Sequence, residues 1–224
     1  MLPNLPPTPK AYSWDNGLTP WGMMSNDVLG NCTCAAAGHM EMGWAFDNNI
    51  NFTPPDSAII SAYSAITGYV PGDPSTDNGA DCLSVLNYWR NTGIAGRKIL
   101  GYATINQWNE DLIKKSIFLF GGLYIGIQLP LSAQNMTVWD VKTSADTIGN
   151  GAPGSWGGHC IPIIGYDSEW LTVITWGAPM KMSWRFAVAF VDELYAVLSP
   201  DFIASGEAPN QIALQQLQAD LAAI

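Results

Sequence analysis

Charge is scarce in this chain. Asp, Glu, Lys and Arg make up 12% of its 224 residues, about half of the ~25% usual in a soluble domain. Positive charge is scarcer still: nine Lys plus Arg stand against nineteen Asp plus Glu, a formal net charge of -10. A nucleic-acid binder needs a basic stripe to neutralise phosphates. The densest basic spot here is Lys114-Lys115, so nucleic acid is not the expected partner. Anionic membrane surfaces are disfavoured on the same grounds. Long apolar runs are also missing. The stretch from Ser116 to Leu129 is broken by Gly121, Gly122, Gly126 and Gln128 and falls short of the ~18 residues that read as a membrane helix. The opening MLPNLPPTPK lacks the charged start and apolar middle of a secretory signal. The expected location is the cytoplasm, or a virion assembled there.

Cysteine and histidine are few. The four cysteines, Cys32, Cys34, Cys82 and Cys160, are too unevenly spaced for a disulfide scaffold. Cys32-Thr33-Cys34 is not a C-x-x-C pair, and no second pair completes a zinc site. No metal and no cofactor is expected. There are two histidines, His39 and His159.

What the chain has is apolar and aromatic content: 48% hydrophobic residues, with ten Trp and eight Tyr. Its length suits one large domain or two small lobes with a real core, and disorder is excluded. Residues 1–24, with five Pro and three Trp or Tyr, read as an extended arm lying on the domain. Helices are expected from Cys32 to about Phe46, from a capping Thr53-Pro54-Pro55-Asp56 start to Gly68, from Gly79 to Asn91, and from Ile105 to Phe118. Then the pattern changes. Strands are expected at Leu123 to Leu129, His159 to Tyr166, Trp170 to Trp176 and Tyr195 to Leu198, with a short helix from Ser183 to Val191. Ser132 to Gly158 reads as a long loop, a length that tends to be functional. The tail from Asn210 to Ile224 reads as an amphipathic helix docked on its own domain. Helices first and an antiparallel sheet second make an α+β arrangement. The expected organisation is an arm (1–24), a domain (25–200) with a helical lobe to about 120 and a β lobe from about 121, and a C-terminal linker and helix (201–224).

Cys32 is expected at a helix N-terminus, where free backbone N–H groups and the helix dipole favour a thiolate. A nearby imidazole can take the thiol proton and later return it to a leaving group. His159 opens an apolar strand after Gly157-Gly158, where its ring can project into a cleft. Cys34 lies about 200° around the helix from Cys32 and Cys160 alternates to the other strand face; both are expected in the core. His39 is read as a polar helix residue. Asp140 and Asp146 are read as solvated, and Trp156 and Trp176 as candidates to flank the cleft.

Asn26-Asp27-Val28-Leu29-Gly30-Asn31-Cys32 resembles the nucleophile segment of papain- and calpain-type cysteine peptidases, where a Gly and one more residue precede a helix-starting Cys. Gly158-His159-Cys160-Ile161-Pro162-Ile163-Ile164-Gly165-Tyr166 resembles the family's His strand. Val173-Ile174-Thr175-Trp176-Gly177 resembles the strand that follows it and ends Asn-Ser-Trp-Gly. The matching order of elements covers roughly residues 25–200. The chain is also similar to bacterial and phage proteins with a Gly-Asp/Asn-Cys helix start and a Gly-Gly-His strand. The papain-like resemblance implies Cys32 as nucleophile, His159 as base and then acid, and Asn26, where the family has Gln, at the oxyanion. It implies a peptide-like substrate with a peptide, isopeptide or related acyl bond. Aligned on Trp176-Gly177, the family's orienting Asn falls on Ile174, which cannot hold an imidazole. Thr175 is the nearest polar residue, though strand alternation sends it to the face opposite Ile174; Asp167 or a backbone carbonyl are the other substitutes. That departure keeps a second function class open: a catalytically silent structural or interaction protein, such as a phage particle component, that binds a protein partner or its own copies through the arm and the tail helix.

Overall fold

The computed structural model describes residues 7–105, 108–203 and 214–221. The first six residues of the arm, the expected helical segment at 106–107 and the two ends of the expected tail helix lie outside the described residues. In chain order the elements are β1 (Tyr12–Ser13), α1 (Cys32–Asp47), α2 (Asp56–Thr67), α3 (Cys82–Asn91), β2 (Gly101–Thr104), α4 (Glu110–Phe120), β3 (Leu123–Leu129), β4 (Gly157–Tyr166), β5 (Trp170–Thr175), β6 (Ala178–Ser183), α5 (Trp184–Phe190), β7 (Val191–Leu198) and α6 (Leu214–Leu221). Helices precede the sheet, which is α+β. Among the described residues no helix is long and apolar enough to cross a membrane.

Side-chain caps set three of the helix starts. The Asp81 side chain accepts from Ser84 N–H at α3, Asn109 from Leu112 N–H at α4, and Ser183 from Phe186 N–H at α5. So α3 begins at Cys82, three residues later than Gly79, and α4 at Glu110 rather than Ile105. At α2 the expected Thr53 cap is not made. Pro55 is the N-terminal boundary residue in extended backbone, with no side-chain cap, and the two prolines keep Thr53 outside the helix. Gly68 and Gly121 end α2 and α4 in the left-handed region, at φ 78° and 72°. A Cβ at Gly121 would also stand 2.6 Å from the Trp44 and Phe202 rings.

The sheet runs β2-β7-β3-β4-β5-β6, with β1 added on β4, and every pair is antiparallel. β1, β2 and β6 are additions to the expected strands, and β2 and β6 are the edges of the main path. β6 contains Pro179, which an edge tolerates because one side of the strand has no ladder to serve. β7 is longer than expected at its start, and the short helix before it is correspondingly confined to Trp184–Phe190.

α1 crosses β4 and is buried on nearly every side, with Cys34, Ala35, Ala36, Ala37, Met40 and Trp44 all within the core. Three successive alanines let neighbouring elements approach its first turns. Tyr124 Oη donates to Thr33 O (2.9 Å), tying that first turn to β3. The arm belongs to the same core: Trp14 Nε1 donates to Ile117 O, Trp21 is buried, and His39 pairs through Nε2 with Gly22 O at 2.9 Å. His39 is thus a polar helix residue, as read, and a buried one that tethers the arm. Burial holds its pKa down. The tail helix α6 lies against β7 and β2.

Candidate active site

The site grows from the start of α1. Asn31 occupies the cap position, but its side chain does not cap the helix; its Nδ2 donates backwards to Met24 O (2.9 Å). The first-turn N–H groups are therefore left without the usual side-chain acceptor. Cys32, the first helical residue, fills that gap. Its sulfur faces the backbone N–H groups of Cys160, Thr33 and Cys32 itself. Burial outweighs them, and Cys82 adds to its effect, so the thiol is pushed up to about 11. Cys32 is half-buried, while Cys34 is fully buried with its own thiol raised by burial.

The facing wall is β4. His159, its third residue, is half-buried. Its Nε2 lies 3.0 Å from Thr175 Oγ1, and its ring is stacked on Trp176 at 4.8 Å between centroids and 12° between planes. Burial, followed by the charge of His39, lowers its pKa to about 4. Trp176 continues the stack to Trp156, at 5.3 Å and 27°. Trp176 and Gly177 form the two-residue β5–β6 turn, and both have positive φ, 45° and 72°. A tryptophan is uncommon in that region, and from this turn its ring stacks on His159. Gly177 is required on two counts: its φ, and the Gly22 backbone that a Cβ would meet at 2.9 Å.

Thr175 and Ile174 resolve differently from the alignment on Trp176-Gly177. Alternation does send Thr175 to the face opposite Ile174, but that face is the one carrying His159. β4 and β5 pair Ile163 with Val173, and continuing that register brings Thr175 beside His159 diagonally on one face. Ile174 is fully buried opposite Pro179. Asp167 is elsewhere, with its Oδ1 accepting the N–H groups of Glu169 and Trp170 in the β4–β5 turn.

Cys32 and His159 line one cleft of about 460 Å³, together with Gly30, Cys82, Gly126, Gln128 and Cys160 among others. Its rim carries Asp81, Asp192 and Glu193 and neither Lys nor Arg. No described arm residue lines it. Among the described residues, no hydrogen bond joins Cys32 Sγ to His159; the thiol is turned to the Cys160 N–H. Asn26 sits in the turn before α1, its Nδ2 donating to Leu29 O (3.0 Å), and is not among the lining residues. Trp156 is more than a third exposed at the far end of the stack from His159, and neither Trp156 nor Trp176 is among the residues that line the cleft. Sequence reading missed Cys82, Gln128 and the acidic rim as lining residues. Asp81-Cys82, a capping residue followed by a cysteine, carried the one available signal. Two slightly larger hollows, of about 570 and 540 Å³, lie against β1 with β6 and at the end of α1; neither contains a cysteine or histidine. Among the described residues no three His, Cys, Asp or Glu side chains converge to hold a metal.

Comparison with solved structures gives the fold. Digestive procathepsin L 3 from the larval midgut of Tenebrio molitor is similar at TM-score 0.61 and 11% identity, covering 88% of this chain and 72% of that one. A structure from work on the mite allergens Blo t 1 and Der p 1 matches at 0.59 and 12%, covering 88% and 73%. The bromelain protease of Ananas comosus, solved in complex with an inhibitor, matches at 0.60 and 12%, covering 85% and 99%. No family model and no curated protein matches the sequence. The fold is papain-like: Cys32 starts α1, and an antiparallel sheet lobe follows the helices.

Proposed function

We propose that this papain-like domain is a cysteine hydrolase that cleaves a peptide, isopeptide or related acyl bond. The observation that carries the reading is the meeting of Cys32 and His159 in one open cleft, with His159 Nε2 held by Thr175. With Nε2–H donated to the Thr175 hydroxyl, Nδ1 is left as the free basic nitrogen. Both reacting groups are neutral at rest, since burial raises the thiol and lowers the imidazole. His159 therefore acts as a general base during attack, not as half of a standing ion pair. Cys32 Sγ swings from the Cys160 N–H, passes its proton to Nδ1 and bonds to the carbonyl carbon. The oxyanion is met by backbone N–H at the start of α1, the donors that Asn31 leaves uncapped. The imidazolium, its Nε2–H still accepted by Thr175, gives its Nδ1 proton to the leaving nitrogen, and a thioester remains. Water, deprotonated by His159, then releases the acid and the thiol. Asn26 supports this from behind, holding the turn that delivers Gly30-Asn31-Cys32.

A mixture of quenched peptides, digested with the protein and read by mass spectrometry, tests the reading. Cleavage by the native chain that disappears in Cys32→Ala supports it; cleavage that persists in Cys32→Ala, or none in the native chain, contradicts it. The neutral thiol, with no hydrogen bond to His159 among the described residues, favours a second reading, a silent interaction protein on the same fold. In that reading the cleft binds a peptide segment of a partner without cutting it.

A further inference from the structure

Cys82 and Cys160 take no part in the proposed acyl transfer, yet both line the cleft beside Cys32. They come from opposite walls. Cys82 is the first residue of α3, delivered by the Asp81 cap, and Cys160 is the fourth residue of β4, next to His159. Although 78 residues apart in the chain, their sulfurs are 3.8 Å apart, and both thiols are free. A disulfide bond is about 2.05 Å long, so a further approach of less than about 2 Å would join them. Space for the pair is kept by Gly126, which faces Cys160 across the β3–β4 ladder. A Cβ at Gly126 would stand 3.1 Å from Glu193 Cβ and 3.5 Å from Cys82 Sγ. Cys82 is 5% exposed and Cys160 3%. Burial keeps the Cys160 thiol well above its usual range, with Cys82 beside it adding to the effect.

We propose that Cys82 and Cys160 are an oxidisable dithiol that closes to a disulfide when a hydroperoxide enters the cleft. Cys82, at a helix start and reached from the cleft, reacts first. Its sulfur attacks the outer peroxide oxygen, the O–O bond breaks, and the departing oxygen takes up the Cys82 thiol proton and leaves as alcohol or water. Cys82 becomes a sulfenic acid. Cys160 then attacks that sulfur, the S–S bond forms, the S–O bond breaks, and water departs carrying the Cys160 proton. Two thiols and one hydroperoxide give one disulfide, one water and the reduced peroxide. The bond fastens the first turn of α3 to β4 next to His159, so the two walls of the cleft are locked together. The device depends on the thiol geometry and not on Cys32 being a nucleophile.

The test treats the full native chain with hydrogen peroxide, blocks remaining thiols with N-ethylmaleimide, and maps the digest by mass spectrometry. The expected result is one cross-linked peptide pair joining Cys82 to Cys160, lighter by two hydrogen atoms than its two free peptides together and lost on reduction with dithiothreitol. The link persists in Cys32→Ala and Cys34→Ala and vanishes in Cys82→Ala and Cys160→Ala. Recovery of Cys82 and Cys160 as maleimide adducts, after a peroxide dose that oxidises free glutathione completely, would overturn the proposal, as would a link to Cys32 in place of either. Retention of the link in Cys32→Ala keeps this outcome separate from the fate of the catalytic reading.

Discussion

The two walls of the cleft are built by different physics. On the helical side, Cys32 and Cys82 are each the first residue of a helix, placed by local geometry at one end of an element. On the sheet side, His159, Thr175 and Trp176 are placed by register and by a two-residue turn, so their meeting depends on how strands far apart in sequence pair. The helical wall tolerates much change as long as its turns hold. A slip of one residue on the sheet wall would replace Thr175 by Ile174 at the imidazole. The difference teaches where the site is robust and where it is specified by single positions.

The largest expected effect joins the walls: Cys32→Ala abolishes peptide cleavage, by roughly a thousandfold or more in kcat/KM, while leaving the thermal transition close to that of the native chain. Next come two substitutions that separate Thr175 from Ile174. Thr175→Val keeps the shape and removes the hydroxyl, and kcat/KM should fall roughly 10- to 100-fold, with partial rescue in Thr175→Asn. Ile174→Asn should leave the His159 contact intact and destabilise the fold by about 3 kcal/mol, since it buries an unpaired amide, as read by urea unfolding. If Ile174→Asn raises activity instead, the sheet wall has been misassigned. Gly177→Ala places a Cβ at positive φ against the Gly22 backbone and should cost about 2 kcal/mol, again by urea unfolding, with activity lost in proportion as Trp176 shifts.

A pH-dependent effect concerns Glu41 in α1, whose Oε1 accepts the Trp89 Nε1 proton at 2.6 Å and whose Oε2 has no hydrogen-bond partner among the described residues. Burial raises its pKa from 4.5 to about 9. The folded chain thus keeps a proton that the unfolded chain gives up. Its contribution to stability is complete below pH 4.5 and is lost as pH rises through about 9, with a slope of at most ~1.4 kcal/mol per pH unit. Asp47, raised to about 7 by burial, acts in the same direction. Glu41→Gln should flatten part of the decline in Tm between pH 5 and pH 9; an unchanged slope would remove Glu41 as its source.

The same contrast decides what was legible in the sequence. α1 begins at the cysteine expected to begin it, and β3 has its expected bounds, because a glycine-led helix start and an apolar strand are local signals. The order of helices then sheet was legible too. The edges β2 and β6 were not, since four residues in one and Pro179 in the other weaken the pattern. Thr175 was the nearest polar candidate in the sequence, but which face of β5 carries His159 follows from strand register, which spacing from Trp176-Gly177 does not encode. Cys82 falls within a helix the sequence leads one to expect, but nothing in it marks the cleft. That it looks across at Cys160 is a fact of packing between lobes.

The central claim is that His159 activates Cys32, and alkylation of Cys32 by iodoacetamide across pH 4 to 9 tests it most directly, residue by residue with mass spectrometry, in the native chain and in His159→Ala. The account predicts a rate that climbs along an acid limb near the His159 pKa of about 4 and exceeds that of His159→Ala at least tenfold at pH 6. Identical profiles in the two proteins, each rising only in the alkaline range toward the Cys32 value of about 11, would contradict it and leave the cleft as a binding groove.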